Sequence, residues 1–325
     1  MICRTRTVNV VGVPLDLGVA KLGVDMGPTA LRYAGIFEAL TFAGLSFVDA
    51  GDLPVANNFA LDRLPAPERQ AAKRAEIARV SENLGGHVFA AASRGELPLT
   101  FGGDHSTSIG AIAGVAKARG RLGLIWIDAH ADSNTPETSP SGNIHGMPLA
   151  VSLGHGYPEL VSCLGFSPKV RPEDVAIVGA KDVDPGELAF LKSQGVALYS
   201  TFDLDRLGLA RVLDEAVSRV TAETDAVYVS FDADVMDARI APGTGITTRG
   251  GLSYREIACL CATLGERVEL AGLDVIEVNP LMDKRNQTAE LCVELAMSLL
   301  GVKWTDYERK YLRANRPEEE AIEED

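Results

Sequence analysis

The sequence has no apolar run long enough for a membrane-spanning helix. Such a helix needs about 18 consecutive apolar residues, and the long apolar stretch near the end of the 325 residues is interrupted by Glu294. The chain starts with MICRTRTVNV, which leads directly into a strand-like pattern and lacks the apolar core of a signal peptide. We therefore expect a cytoplasmic protein with no membrane partner.

Basic residues are also relatively few, since 31 Lys and Arg face 45 Asp and Glu and the formal net charge is −14. This surplus of negative charge disfavours nucleic acid and anionic membranes as partners. Six acidic residues lie within residues 317–325, and four aspartates lie in two motifs described below. We predict one domain over residues 1–313, an acidic tail over residues 314–325, and a cation site within the domain.

Cysteine is scarce, and its spacing suits neither disulfides nor a metal. The number is odd and no Cys-x-x-Cys pair exists; the residues are Cys3, Cys163, Cys259, Cys261 and Cys292. Reduced thiols in a cytosolic protein are the expected state.

Short apolar runs alternate with longer amphipathic segments, which predicts an α/β fold with a mainly parallel sheet and helices on both faces. The predicted strands are residues 8–13, 46–50, 97–101, 122–127, 175–178, 197–199, 226–231 and 269–275. The predicted helices are residues 68–93, 107–118, 186–194, 205–220, 254–263 and 287–300. We predict an irregular surface segment over residues 53–67 and a long loop over residues 133–148.

Potential metal ligands follow two of the predicted strands. Asp128, His130 and Asp132 alternate with alanines in the motif DAHAD, and Asp232 and Asp234 alternate in SFDAD. Side chains two residues apart in an extended chain point to the same face. Because burying several carboxylates is costly without compensation, and because ligand sites lie at the carboxyl ends of parallel strands, both motifs predict one cation site.

A third motif, GGDHS, places His105 after another strand. Its glycines permit a tight turn, Asp104 or Ser106 is positioned to cap the following helix, and Asp104 is expected to orient His105. The six candidate ligands, with four carboxylates, exceed the needs of one tetrahedral zinc and suit two octahedral ions such as Mn²⁺. Two such ions sharing a water would hold a hydroxide nucleophile.

These motifs, followed by PGTG and GLDVIEVNP, resemble those of the ureohydrolase family of arginases and agmatinases, from about residue 8 to about residue 300. The resemblance implies a single α/β domain with an eight-stranded parallel sheet, two Mn²⁺ ions, and hydrolysis of a guanidino group to an amine and urea. It also implies a homo-oligomer, trimeric or hexameric. The ligands it implies are His105, Asp128, His130, Asp132, Asp232 and Asp234.

The loop over residues 132–146 and the segment around Asp184 are similar to those of arginases. The resemblance implies that Asn134, Ser141 and Asn143 surround the substrate α-carboxylate and that Asp184 faces the α-ammonium. An amino-acid head needs such donors and such an acceptor, so L-arginine is the implied substrate, with L-ornithine and urea as products.

The same resemblance implies three catalytic residues: His145, Asp132 and Glu277. His145 would shuttle protons, which suits the pKa of imidazole. Glu277 follows an apolar strand and would bind the guanidinium group, which a carboxylate can hold through two hydrogen bonds.

Three positions depart from the family pattern. Ala238 and Thr247 stand where family members commonly have proline, and Ile246 replaces a hydroxyl residue near the guanidinium group. These departures leave two alternatives open: a ureohydrolase acting on agmatine or a guanidino acid, and a non-catalytic metal-binding protein of the same fold.

Overall fold

The computed structural model describes residues 6–247 and 249–303. The predicted domain end at residue 313, the acidic tail and Cys3 lie outside these residues. Within them, no helix is both long and apolar enough to cross a membrane.

Eight parallel strands form one sheet in the order β2-β1-β3-β8-β7-β4-β5-β6. All eight predicted strands are confirmed, with shifts of at most two residues at their ends. Their bounds are β1 Val8–Val13, β2 Phe47–Asp52, β3 Leu97–Gly102, β4 Gly123–Ile127, β5 Val175–Ala180, β6 Ala197–Ser200, β7 Val227–Asp232 and β8 Leu270–Ile276.

Helices cover both faces of the sheet, as predicted. Within β4, Ile125 and Ile127 pack into one hydrophobic cluster and Leu124 and Trp126 into another, because neighbouring strand residues point to opposite faces. The helices are α1 Gly27–Tyr33, α2 Ile36–Phe42, α3 Asn58–Leu61, α4 Ala66–Ser93, α5 Ser108–Arg119, α6 Pro148–Ser152, α7 Pro158–Val161, α8 Pro185–Gln194, α9 Thr201–Leu207, α10 Leu209–Val220, α11 Tyr254–Arg267 and α12 Gln287–Leu299.

The predicted helix over residues 205–220 was wrong in its extent, since α9 and α10 are separate helices. Gly208 divides them with φ 84° and ψ 141°, which lies outside the helical region. The predicted surface segment over residues 53–67 contains the short α3 and the start of α4, and α1, α2, α6 and α7 were not predicted. Helices of seven residues or fewer span at most two turns, which is too short for a clear apolar period.

The four central strands, β3, β8, β7 and β4, are neighbours in the sheet. Because all strands are parallel, their carboxyl ends lie along one edge. Each of these ends leads directly into a candidate site residue: His105 after β3, Glu277 after β8, Asp232 within the end of β7, and Asp128 after β4.

Candidate metal centre

His105 lies in a buried position surrounded by carboxylates. Its Nδ1 atom is 2.9 Å from Asp132 Oδ2, 3.1 Å from Asp232 Oδ2 and 3.2 Å from Asp128 Oδ2. The histidine side chain is fully buried, yet Nδ1 makes no hydrogen bond. Four side chains, which follow the ends of three strands, therefore direct their ligand atoms toward a common position.

A second group of ligand atoms lies beside the first and shares Asp128 with it. His130 Nδ1 is 3.1 Å from Asp234 Oδ2 and 3.4 Å from Asp128 Oδ1. Asp128 thus directs one carboxylate oxygen into each group. The structure brings together all six predicted ligands in an arrangement that suits two ions.

The hydrogen bonds of His105 show why this site needs a cation. Ser230 Oγ donates to Asp274 Oδ1 at 2.7 Å, so its oxygen must accept the hydrogen bond from His105 Nε2 at 2.9 Å. Nε2 therefore carries a proton, and Nδ1 faces three carboxylates. Burial opposes protonation of His105, but these carboxylates outweigh it and raise the pKa of His105 well above its usual range. Positive charge is therefore required at this point, either as a second proton on the imidazole or as a cation between Nδ1 and the carboxylates.

The electrostatics of the carboxylates agree with this conclusion. Burial raises the pKa of Asp234 to about 6, although His130 opposes the shift. Burial and the charges of Asp234 and Asp128 raise the pKa of Asp232 well above its usual range. Divalent ions would remove this penalty, because they neutralise the carboxylate charge that burial disfavours.

The observed spacing also fits octahedral ions. Atoms on neighbouring corners of an octahedron of about 2.1 Å radius are about 3.0 Å apart, and the distances from His105 Nδ1 to the three carboxylates are 2.9–3.2 Å. The donor set therefore fits a binuclear site of oxygen-preferring ions.

Asp274 anchors the residues that hold His105 in place. Its carboxylate accepts hydrogen bonds from Ser230, from Ser108 Oγ at 2.8 Å and from Tyr228 OH at 2.9 Å. The imidazole ring also stacks on Trp126, with ring centres 4.2 Å apart. The expectation that Asp104 orients this ring was wrong, because Asp104 instead caps the short turn His105–Thr107.

Ser230→Ala is expected to weaken metal binding about 10- to 100-fold, because loss of a hydrogen-bond partner of a ligating histidine has that effect. Competition with a chelator measures the change. Tyr228→Phe is the matched control, since Tyr228 OH donates to Asp274 and has no hydrogen bond with Ser230 or the His105 ring. Equal affinities for these two variants would contradict the role of Ser230.

Asp132 and Glu277 have left-handed backbone conformations, with φ of 46° and 63°. Such conformations are uncommon outside glycine and persist where the surroundings hold them. Glu277 N donates to Gly103 O at 2.8 Å, and Glu277 Oε1 accepts from His105 N at 3.1 Å. A Cβ atom on Gly245 would lie 2.5 Å from Glu277 Oε2, so a larger residue there would displace this carboxylate from its observed position.

His145 contacts Glu277 at the edge of the metal site. Its Nδ1 atom is 3.1 Å from Glu277 Oε1, and its side chain is 13% exposed. Burial opposes protonation, but the hydrogen bond with Glu277 and the charges of Glu277, Asp132 and Asp104 outweigh it and raise the pKa of His145 to about 9. His145 can therefore hold a proton beside the ligand cluster.

A cavity of about 200 Å³ opens over these groups. The predicted substrate-binding residues Asn134, Ser141, Asn143 and Asp184 all line it. Asn134 Nδ2 donates to Asp184 Oδ2 at 2.9 Å, which holds these two side chains together. Of the three departures from the family pattern, Ile246 lines the cavity and Ala238 and Thr247 do not.

Sequence reasoning missed Glu187 as a cavity residue. Its carboxylate accepts hydrogen bonds from Ser133 N at 2.8 Å and Asp184 N at 3.0 Å, and burial raises its pKa to about 7. The spacing of Asp184 and Glu187 is that of a helix capping box, which could have predicted their contact.

A family model and the sequences of curated proteins both identify the same family. The model of the Arginase family matches residues 6–301. An arginase from Bacillus caldovelox is 44% identical over 92% of this chain and 99% of its own length, and one from Bacillus subtilis (strain 168) is 43% identical over the same shares.

Solved structures of related enzymes have the same fold over nearly the whole length of this chain. The crystal structure of arginase from Bacillus subtilis has a TM-score of 0.85 and 42% identity, covering 92% of this chain and 100% of that chain. A proclavaminate amidino hydrolase from Streptomyces clavuligerus has a TM-score of 0.69 and 28% identity, covering 94% and 93%.

Proposed function

Since the chain belongs to the arginase family, it hydrolyses L-arginine to L-ornithine and urea, and we propose that it does so with two Mn²⁺ ions. The observation that supports this most directly is the buried Nδ1 atom of His105, which has no hydrogen-bond partner and lies among three carboxylates. Four carboxylates and two imidazoles form the donor set, and carboxylates favour Mn²⁺ over softer ions.

We propose that six residues hold the two ions. His105, Asp132 and Asp232 contribute to one position, His130 and Asp234 contribute to the other, and Asp128 contributes to both. A bound pair of such ions would lower the pKa of a water molecule and so supply a hydroxide nucleophile at neutral pH.

Glu277 binds the guanidinium group through its free oxygen. Oε1 is already occupied by His105 N and His145 Nδ1, whereas Oε2 is buried without a hydrogen-bond partner. Oε2 is therefore the oxygen available to a guanidinium N–H, in place of the fork of two equal hydrogen bonds that the sequence suggested. This contact brings the guanidinium carbon over the ligand cluster and excludes water from one side of it.

His145 moves the proton that the leaving amine requires. Its Nδ1 atom faces Glu277 Oε1 at 3.1 Å, which leaves Nε2 as the atom that can donate to the leaving amine. Positioned proton transfer of this kind typically contributes 10²- to 10⁴-fold to a rate.

The amino-acid head of the substrate lies at the outer part of the cavity. Asn134, Ser141 and Asn143 donate to its carboxylate and Asp184 accepts from its ammonium. Asn134 uses one amide hydrogen on Asp184 Oδ2, so its second amide hydrogen remains for the substrate. The Asp184 carboxylate also accepts from the backbone N–H of Glu187, and its remaining lone pairs can accept from the ammonium.

We also infer that the enzyme works in the cytoplasm as a homo-oligomer. The resemblance to a family of trimers and hexamers supports the assembly. Within the described residues no two cysteines form a disulfide, and the free thiols of Cys163, Cys259, Cys261 and Cys292 support a reducing compartment.

Urea release by metal-stripped protein, with and without added Mn²⁺, tests the proposed function. The assay compares L-arginine, agmatine and a guanidino acid. We expect Mn²⁺ to restore turnover of L-arginine above the other two. Preference for another guanidino compound would support the alternative substrate, to which the apolar Ile246 in the cavity wall points. Metal uptake without any urea would support the non-catalytic alternative.

Asp184→Ala is expected to lower kcat/KM for L-arginine roughly 10- to 150-fold, because a hydrogen bond to a charged group contributes about 1.5–3 kcal/mol. Turnover of a guanidino acid that lacks the α-ammonium should change little, because Asp184 has no partner on that substrate. Asp184 also precedes α8 and contacts Glu187, so the ratio of the two substrates is the measurement, since it cancels any general loss of folding. An equal loss for both substrates would make Asp184 a structural residue.

A further inference from the structure

The turn between β3 and the short helical turn His105–Thr107 contacts each part of the site. His105 is a candidate metal ligand. Gly103 O accepts the hydrogen bond from Glu277 N, and His105 N donates to Glu277 Oε1. The same turn therefore supports both the metal centre and the residue that binds guanidinium.

Asp104 extends this support to a different segment of the chain. Its buried carboxylate accepts hydrogen bonds from Gly18 N at 2.7 Å, from Ser106 N at 3.0 Å and from Ser106 Oγ. Gly18 O in turn accepts the hydrogen bond from His145 N at 3.1 Å. A single residue, Gly18, thus connects the Asp104 carboxylate to the backbone of His145.

The segments that contain Gly18, Asp104 and His145 are closely packed against one another. A Cβ atom on Gly18 would lie 3.0 Å from Asp104 Oδ1, 3.0 Å from His145 N and 3.1 Å from Ser106 Oγ. The backbone of Asp104 is tied to the same segment, since its N–H donates to Leu15 O at 2.7 Å. Hydrogen bonds to a buried carboxylate are strong, so the position of Gly18 is closely determined by Asp104.

We propose that Asp104 is a positioning residue for His145, acting through Gly18. The inference rests on the proposed role of His145 in proton transfer. Asp104 touches neither the cavity nor the ligand atoms. Its carboxylate holds the backbone at Gly18, Gly18 holds the backbone at His145, and this fixes the distance between His145 and Glu277.

A double-mutant cycle of Asp104→Asn with His145→Ala tests the proposal. Asparagine keeps the shape of the side chain but has only one acceptor oxygen. That oxygen must serve both the Ser106 donors and Gly18 N, so we expect the hydrogen bond to Gly18 to weaken. Displacing a catalytic group by about 1 Å can cost about 100-fold in rate, so we expect Asp104→Asn to lower kcat about 10- to 100-fold. In the His145→Ala background the same change should lower kcat less than about 3-fold.

Two further readouts separate positioning from general damage. Elemental analysis should find two Mn²⁺ per chain in Asp104→Asn, and amide hydrogen exchange over residues 141–147 should become faster. Ser106→Ala is the matched control, because it removes another donor to the same carboxylate and leaves the Gly18 hydrogen bond intact. It should change neither the exchange nor kcat by more than about 3-fold.

Gly18→Ala provides a second variant that leaves Asp104 in place. Its added methyl group would shift Asp104, His145 or Ser106 by a few tenths of an ångström, so kcat should fall by less than in Asp104→Asn, and again only when His145 is present. Equal losses in both backgrounds, or loss of metal, would overturn the proposal for Asp104. Wild-type turnover of His145→Ala alone would overturn the role of His145 itself, and with it this inference.

Discussion

Asp128→Asn is expected to empty both metal positions. Asp128 contributes one oxygen to each ligand group, and asparagine removes a negative charge and offers only one carbonyl oxygen. Its amide would also face a donor, since Asp128 accepts hydrogen bonds from Trp126 Nε1 at 2.9 Å and His130 N at 2.7 Å. Loss of an outer partner alone costs up to about 100-fold in affinity, so the loss here should exceed that.

Elemental analysis and urea release measure this effect together. Asp234→Asn, which alters one ligand group only, should lose mainly one ion. Asp184→Asn is the matched control, because its carboxylate lines the same cavity outside both groups, and it should keep two ions. Two ions per chain in Asp128→Asn, with the fold retained by circular dichroism, would rule out the assignment of this ligand.

His145→Ala is expected to keep both ions and lose activity by about 10²- to 10⁴-fold, the range that positioned proton transfer contributes. The side chain contacts Glu277 and no ligand atom of the two groups within hydrogen-bond distance, so metal content should remain at two per chain. Added imidazole should restore part of the activity, because it can enter the space that the side chain leaves.

His155→Ala is the matched control for this loss of an imidazole. His155 packs edge-on against Phe190 with ring centres 5.1 Å apart and does not line the cavity. Its removal should leave urea release unchanged. Turnover of His145→Ala equal to that of His155→Ala at every pH would show that His145 transfers no proton.

Much of the fold follows from local pattern. Buried parallel strands are short and continuously apolar, and they stand out between longer amphipathic segments. The strand preceding Asp128 and the strand ending at Asp232 are both recognisable in this way. Helices were predicted less accurately, because the apolar period of α9 and α10 continues across Gly208 and conceals the break.

The candidate ligands were also predictable from local pattern. Asp128, His130 and Asp132 alternate along an extended segment, so their relative directions follow from two-residue periodicity alone. Strand ends in a parallel sheet share one edge, so Asp232 and Asp234 were expected nearby. The chemistry of the site was therefore contained in residue types and short spacings.

The tertiary structure alone decided how these groups are held. Ser230 orients His105 across 125 positions and is itself held by Asp274 across 44, and Asp104 reaches Gly18 across 86 positions. Each contact depends on the side-chain direction and backbone angle of two distant segments, which no local spacing encodes. The sequence by itself determined which residues are present at the strand ends. Packing of the sheet and its turns determined which nitrogen of His105 faces the carboxylates and which oxygen of Glu277 remains free, because hydrogen bonds are directional and depend on exact positions.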